Sequence, residues 1–246
     1  MKACALTDRG RKRHINQDAV YCSACPVGNM PNLFIVADGM GGHKAGDFAS
    51  VFSIETMVDL VSNSEASNPI TIMNDSIRQV NRMLIAKAEE DPELDGMGTT
   101  LVCACVIGDV LCVANVGDSR LYIIGDDIRQ ITRDHSLVED LIARGEIERG
   151  SDTYYEYKNV ITRAIGAEKN VNADFFEVTL EQQDTVLMCS DGLSNMVPDE
   201  DIRKIVCGRA DLEAAAQDLI DAANNNGGKD NIAVVLFRPS ADEVKK

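Results

Sequence analysis

The segments Leu33-Phe34-Ile35-Val36-Ala37-Asp38-Gly39 and Val186-Leu187-Met188-Cys189-Ser190-Asp191-Gly192 follow one pattern, a short apolar run that closes on Asp-Gly. Runs this short, bounded by turn residues, predict buried strands. The end of a strand delivers its side chain to the rim of a sheet, and a glycine after the aspartate lets the backbone bend so that its carbonyl can also face a cation. Comparable runs lie at residues 3–7, 19–23, 101–107, 110–116, 121–124 and 232–237. Gly108 and Asp109 between two of them predict a tight hairpin, and residues 125–127 before Ile128 another turn, so much of the sheet should be antiparallel.

Helical spacing fills the gaps. Residues 45–61 and 70–89 read as two long helices in succession, the second with Ile70, Met73, Ile77, Val80, Leu84 and Ala88 at three- and four-residue steps. Ser136 with Glu139 three places on reads as a capping box opening a helix through Ala143. Pro198 ahead of Asp199, Glu200 and Asp201 opens another, and residues 212–223 form a further one. Residues 145–159 hold few apolar side chains and a tyrosine-rich, charged middle, which predicts an exposed lobe of the kind that carries function. Strands and helices come in runs rather than in strict alternation. The expected class is therefore α+β, one domain over residues 1–240 with 241–246 as a polar tail.

The 246 residues carry a formal charge of −16, which repels a phosphodiester backbone and an anionic membrane surface and argues against nucleic-acid and membrane partners. No stretch of about 18 uninterrupted apolar residues is present, and the opening residues lack a signal-peptide core, so a cytoplasmic protein is expected. With no coiled-coil pattern, a monomer is the default. Of the eight cysteines, Cys103, Cys105, Cys112 and Cys189 sit in apolar runs as small buried hydrophobes. Cys22 and Cys25 form a CxxC without the second pair or the histidines that a zinc site needs.

Asp118, in Gly117-Asp118-Ser119-Arg120, and Asp230, in Lys229-Asp230-Asn231, join Asp38 and Asp191 as carboxylates able to meet at one rim. Two like charges about 4 Å apart repel by about 4 kcal/mol at an effective dielectric of about 20, so such a cluster calls for divalent cations. All-oxygen ligation selects Mg²⁺ or Mn²⁺ over zinc. Asp-Gly by itself also marks a plain turn. In so acidic a chain the island Arg9, Arg11, Lys12, Arg13 and His14, beside Asn16-Gln17-Asp18, reads as a fork able to grip a phosphate or as a solvated loop that balances local acid.

Taken in order, Thr7-Asp8-Arg9-Gly10 with Arg13, Asn16, Gln17 and Asp18; Asp38-Gly39-Met40-Gly41-Gly42-His43; Gly98-Thr99-Thr100; Gly117-Asp118-Ser119-Arg120; Asp134-His135-Ser136; Arg163-Ala164-Ile165-Gly166; Ser190-Asp191-Gly192; and Asp230-Asn231 resemble the metal-dependent Ser/Thr protein phosphatases of type 2C, in their compact bacterial form. The resemblance spans about residues 7–237. It implies a four-layer αββα sandwich, two antiparallel sheets packed face to face with helices outside, a metal cleft at one edge, and a mobile flap at about residues 145–160. It also implies hydrolysis of phosphoserine and phosphothreonine in proteins modified by a Ser/Thr kinase.

By the same resemblance, Asp38 would bridge two Mg²⁺ or Mn²⁺ ions, Asp191 and Asp230 would complete one, and the carbonyl of Gly39 would help the other. Water held between the ions would attack phosphorus while Arg13 holds the phosphate. Asp118 with Asp191 matches a looser third metal site, and Asp18 would orient metal-bound water, with Gln17, His43 and Asn231 around them. Two positions depart from the family pattern. Gln17 stands where many relatives have Glu, and Met40 where animal relatives have a His that could protonate the leaving group. His43 is a candidate substitute, set against a structural role and against metal-bound water as the proton source. A catalytically silent phosphopeptide-binding or partner-specific member of the same fold is the alternative, with Gln17 as its support.

Overall fold

Two antiparallel sheets face each other in the computed structural model, which describes residues 1–42 and 45–239. The first runs in the order β1 (Lys2–Asp8), β11 (Ile232–Arg238), β10 (Thr185–Cys189), β7 (Arg120–Ile124), β8 (Ile128–Gln130). The second runs β2 (Asp18–Ser23), β3 (Leu33–Met40), β5 (Leu101–Ile107), β6 (Val110–Val116), β9 (Asp174–Thr179), with the short β4 (Gly98–Thr99) paired to β3. Helices α1 (Ala45–Ser62) and α2 (Pro69–Glu90) cover the second sheet, and α6 (Asp199–Cys207) and α7 (Leu212–Asn225) cover the first. The shorter α3 (Leu137–Ala143), α4 (Asp152–Tyr157) and α5 (Asp191–Ser194) complete the helices. This is the expected αββα sandwich.

Alternation along each strand explains why the sequence reads as unbroken apolar runs. In β3, Phe34 and Val36 enter the layer between the sheets, whereas Leu33, Ile35 and Ala37 face α1 and α2. In β11, Ala233, Val235 and Phe237 point between the sheets and Ile232, Val234 and Leu236 point toward α7. Both faces are covered, so neither carries a polar stripe. Phe34 and Phe237 stack across the middle layer with ring centroids 3.9 Å apart. Such a pair adds about 0.5–1.5 kcal/mol to the burial of its area.

Local signals set the helix ends. Asn68 accepts the Thr71 N–H at 3.0 Å ahead of Pro69, and Asp211 caps α7 through the Ala214 N–H. At α3 the capping box is half formed: Ser136 Oγ accepts from the Glu139 N–H, but the Glu139 carboxylate accepts from Arg149 at 2.6 Å instead of turning back. A charged donor outcompetes a backbone amide. Residues 145–159, expected as an exposed lobe, contain α4, which buries none of its residues.

All eight cysteines are free; Cys25 is exposed and Cys22 half-buried, while burial pushes the Cys103, Cys105 and Cys189 thiols up to about 12. Among the described residues no helix is long and apolar enough to cross a membrane. His43 and the expected tail 241–246 lie outside the described residues.

Candidate active site

The end of β3 is pinned from below. The Asp38 N–H donates to Thr100 Oγ1 at 2.9 Å, and its carbonyl accepts from the Thr100 N–H and from Thr99 Oγ1, each at 2.9 Å. Thr100 Oγ1 lies 2.7 Å from Ser119 Oγ. These side chains are fully buried, so the backbone that carries Asp38 has little freedom. Asp18 stands opposite Asp38 in the β2–β3 register. Ser190, at the end of β10, donates to Asp18 Oδ2 at 2.6 Å and accepts the Ala233 N–H at 2.9 Å, which ties one sheet to the other at this edge.

Asp38, Asp118, Asp191 and Asp230 line one cavity of about 240 Å³, together with Arg13, Gln17, Gly39 and Asn231. Four separate stretches of chain therefore meet on one cavity. Asn159 and Ile161 close the side nearest α4.

The glycines of the two Asp-Gly pairs need a different explanation from the one their sequence suggested. Neither Gly39 nor Gly192 has a positive φ, so no special bend requires them. A methyl group on Gly39 would overlap the Gly46 carbonyl in the first turn of α1, and one on Gly192 would overlap the Asn231 carbonyl. Both glycines permit close packing of backbone against backbone.

Charge in the cavity is poorly balanced. Burial first, then the charges of Asp191 and Asp230, pushes the Asp18 carboxyl up; burial and the neighbouring aspartates push Asp38 well up. Burial and the Asp191 charge push Asp118 up to about 8, and burial and Asp230 push Asp191 up to about 6 against the pull of Lys158 and Arg13. Asp118 Oδ1 is buried with no hydrogen-bond partner. An oxygen-only donor set, mutual repulsion and an orphaned carboxylate oxygen together fit hard divalent cations. The side chains stand in a spread arrangement: among the described residues no three Asp, Glu, His or Cys groups close on one point. Asp230 Oδ2 accepts from Arg13 Nη2 at 2.8 Å, and Asp191 Oδ2 accepts from Asn195 Nδ2 at 2.9 Å.

Arg13, expected to face a phosphate, is thus engaged with Asp230, and its side chain is 49% exposed. Of the basic island only Arg13 lines the cavity, and Arg9, Arg11, Lys12 and His14 are exposed. The island brings one guanidinium to the cavity, on an anchored loop. Asn231 supplies the anchor: its Oδ1 accepts the Gln17 N–H, and its Nδ2 donates to the Arg9 and Ile15 carbonyls, all at 2.9 Å. Gln17 also accepts the Gly39 N–H through its own carbonyl at 3.1 Å, so it joins the loop to the end of β3.

Two partners went unread in the sequence. Lys158 Nζ donates to Asn195 Oδ1 at 2.9 Å, and Asn195 in turn donates to Asp191, a relay from beside α4 to the cavity wall. Asn195 lies four residues after Asp191, a helical spacing that could have suggested the contact; nothing local marks Lys158. His135 holds the turn that carries Asp118. Its Nδ1 accepts the Gly117 N–H at 3.0 Å, which leaves the proton on Nε2, 3.3 Å from Asp174 Oδ2.

The family model for Protein phosphatase 2C matches residues 10–232. A serine/threonine phosphatase stp of Listeria innocua is 41% identical over 243 residues, covering 96% of this chain and 95% of that protein. Protein phosphatase PhpP of Streptococcus pneumoniae is 35% identical with both chains fully covered. Among solved structures, serine/threonine phosphatase Stp1 from Staphylococcus aureus superimposes with a TM-score of 0.90 at 34% identity, covering 98% of this chain and 95% of that one. The catalytic domain of the serine/threonine protein phosphatase PstP, in complex with two manganese ions, gives 0.82 at 33% identity, with 96% of each chain covered. Sandwich, acidic edge and matched length agree, and the chain belongs to the protein phosphatase 2C family.

Proposed function

We propose that the protein hydrolyses phosphoserine and phosphothreonine esters in proteins, using two divalent cations, Mg²⁺ or Mn²⁺, in the acidic cavity. The observation that carries this reading is the meeting of Asp38, Asp118, Asp191 and Asp230 with Arg13 on one cavity of about 240 Å³ at the edge of the sandwich. Asp38, Asp191, Asp230 and the Gly39 carbonyl would hold the two ions, and Asp118 with Asp191 would offer a looser third position. When bound, the ions supply an acidified water and a clamp on the phosphoryl oxygens.

The remaining work falls to the chain. Asp18, fixed by Ser190 at 2.6 Å, keeps negative potential beside Asp38. Arg13 binds the substrate. Its half-exposed pair with Asp230 is worth at most about 1 kcal/mol, so transferring the guanidinium to a phosphate dianion costs little once a cation engages Asp230. The fork then fixes two phosphate oxygens and orients phosphorus. Metal and phosphate binding are thereby linked through Asp230.

The test is hydrolysis of p-nitrophenyl phosphate and of a phosphothreonine peptide with Mn²⁺, with and without EDTA, beside calorimetric titration of Mn²⁺. Turnover that requires the metal is expected. Arg13→Ala should raise KM more than it lowers kcat. Absence of metal-dependent turnover on both substrates overturns the reading.

A further inference from the structure

We propose a second binding site, a trough along α1 that docks a segment of a partner protein presenting apolar side chains flanked by lysine or arginine. It deepens the phosphatase reading, since it would grip a phosphoprotein away from its phosphate, but the binding itself needs no turnover.

The trough follows from the composition of α1, which is apolar on two faces. Ala45, Ala49, Met57 and Val61 are buried against the sheet. Phe48, Val51 and Phe52 line a cavity of about 980 Å³ on the other side, against Leu94 of the short 3₁₀ helix Pro92–Leu94. The Phe48 and Phe52 rings stack 5.3 Å apart, and Val51 remains 42% exposed. Ile15, also 42% exposed, stands at its edge. That residue is two positions from both Arg13 and Gln17, and its carbonyl is held by Asn231, so the trough adjoins the acidic cavity.

Charge decides the occupant. Asp47, Glu55, Asp91, Glu93 and Asp95 ring the apolar floor, and among the described residues no Lys or Arg lines it. No ion pair between described residues holds any of the five. A trough this open, with large apolar groups in reach of water, suits a chain segment better than an enclosed small molecule. A second copy docked by the same face would set five carboxylates against five, in a chain already at −16. Nucleic acid and anionic lipid are repelled for the same reason. A basic segment is drawn in by the rim, and its apolar side chains bury the floor.

The test uses a fluorescein-labelled, unphosphorylated dodecapeptide of Leu and Lys, with one control in which Leu is replaced by Ser and another in which Lys is replaced by Glu. By anisotropy the protein should bind the first at least about ten-fold tighter than either control. Glu55→Lys with Glu93→Lys, and separately Val51→Asn, should each weaken that binding several-fold without lowering the Tm. The same variants should leave p-nitrophenyl phosphate hydrolysis unchanged and raise KM, not kcat, for a phosphothreonine peptide carrying the Leu/Lys segment. Equal binding of the three peptides overturns the proposal, as does a response to charge reversal without one to Val51→Asn, which would mean a non-specific acidic surface. Self-association in sedimentation that Val51→Asn abolishes assigns the trough to a second copy and also overturns it. Peptide binding in a protein without turnover would sink the phosphatase reading and leave the docking site standing; turnover without peptide binding would do the reverse.

Discussion

The acidic cavity has two walls made in different ways. On one side, Asp38 lies near the end of β3 and Asp191 opens α5 two residues beyond β10, which is buried along its whole length. Thr99, Thr100, Ser119 and Ser190 beneath them are fully buried and hydrogen-bonded to backbone or to one another. On the other side, α3 buries only Val138, α4 buries nothing, and Tyr155 is 63% exposed. A few hydrogen bonds attach that side to the rest: Leu137 N–H to the Val160 carbonyl, Thr162 N–H to the His135 carbonyl, and Lys158 to Asn195. A segment with little buried apolar area opens at low free-energy cost, whereas buried strands open only with global unfolding. The proposed chemistry, which tolerates little displacement, would sit on the first wall. Selection among substrates, which benefits from an adjustable surface, suits the second.

The largest expected effect separates chemistry from folding on the rigid side. Asp38→Asn should lower Mn²⁺-dependent turnover by about 10³-fold or more, since it removes the charge at the centre of the cluster. In metal-free protein its Tm should hold or rise, because a buried carboxylate repelled by four neighbours has been neutralised. A collapsed Tm would mean that this wall does not fold independently of its charges.

Next comes a stability contrast between the walls. Ser190→Ala strands both Asp18 and the Ala233 N–H, which should cost about 1–3 kcal/mol in urea unfolding. Lys158→Met, which removes one contact of the segment 145–160, should cost under about 1 kcal/mol. Equal losses would erase the distinction between the two walls. Lys158→Met should instead speed hydrogen exchange across residues 145–160 and raise KM for a phosphopeptide about three-fold, with p-nitrophenyl phosphate less affected. An unchanged exchange pattern would show that the relay does not hold residues 145–160.

The smallest effect lies at the joint between the walls. Burial first, with help from Arg163, holds the His135 imidazole below its ordinary value, against the pull of Asp174. The unfolded chain takes up a proton there below about pH 6.5 that the folded protein resists, so this residue contributes stability that is lost as pH falls below that value. His135→Gln can still accept the Gly117 N–H but cannot titrate. Its Tm should fall less steeply than that of the unaltered protein between about pH 6.5 and 5. Parallel curves would place the acid sensitivity elsewhere.

The same contrast governs what the sequence made legible. Buried strands announce themselves because both faces are apolar, which is why β3, β5, β6, β10 and β11 could be read from short runs. The edge strand β9, Asp-Phe-Phe-Glu-Val-Thr, has no fully buried position and passed unnoticed, as did α4 among its charges and tyrosines. At the site, aspartates at strand ends stood out through local context. The contacts that position them did not. Arg13 meets Asp230 across 217 positions and Ser190 meets Asp18 across 172, and no local pattern encodes such pairings. The two Asp-Gly glycines were visible, yet their reason is steric and comes from distant backbone. Family resemblance supplied the positions; only the fold shows what holds each one.

The placement of β11 between β1 and β10 has a consequence for biosynthesis. The strand that leaves Asp230 and Asn231 follows every other described strand in sequence, yet it joins β1 to β10, beside Asp191. A nascent polypeptide halted before Asp230 lacks the strand that joins β1 to β10 and the clasp on the Arg9–Gln17 loop. The acidic edge is therefore incomplete until β11 has been made, and topology withholds dephosphorylation until then.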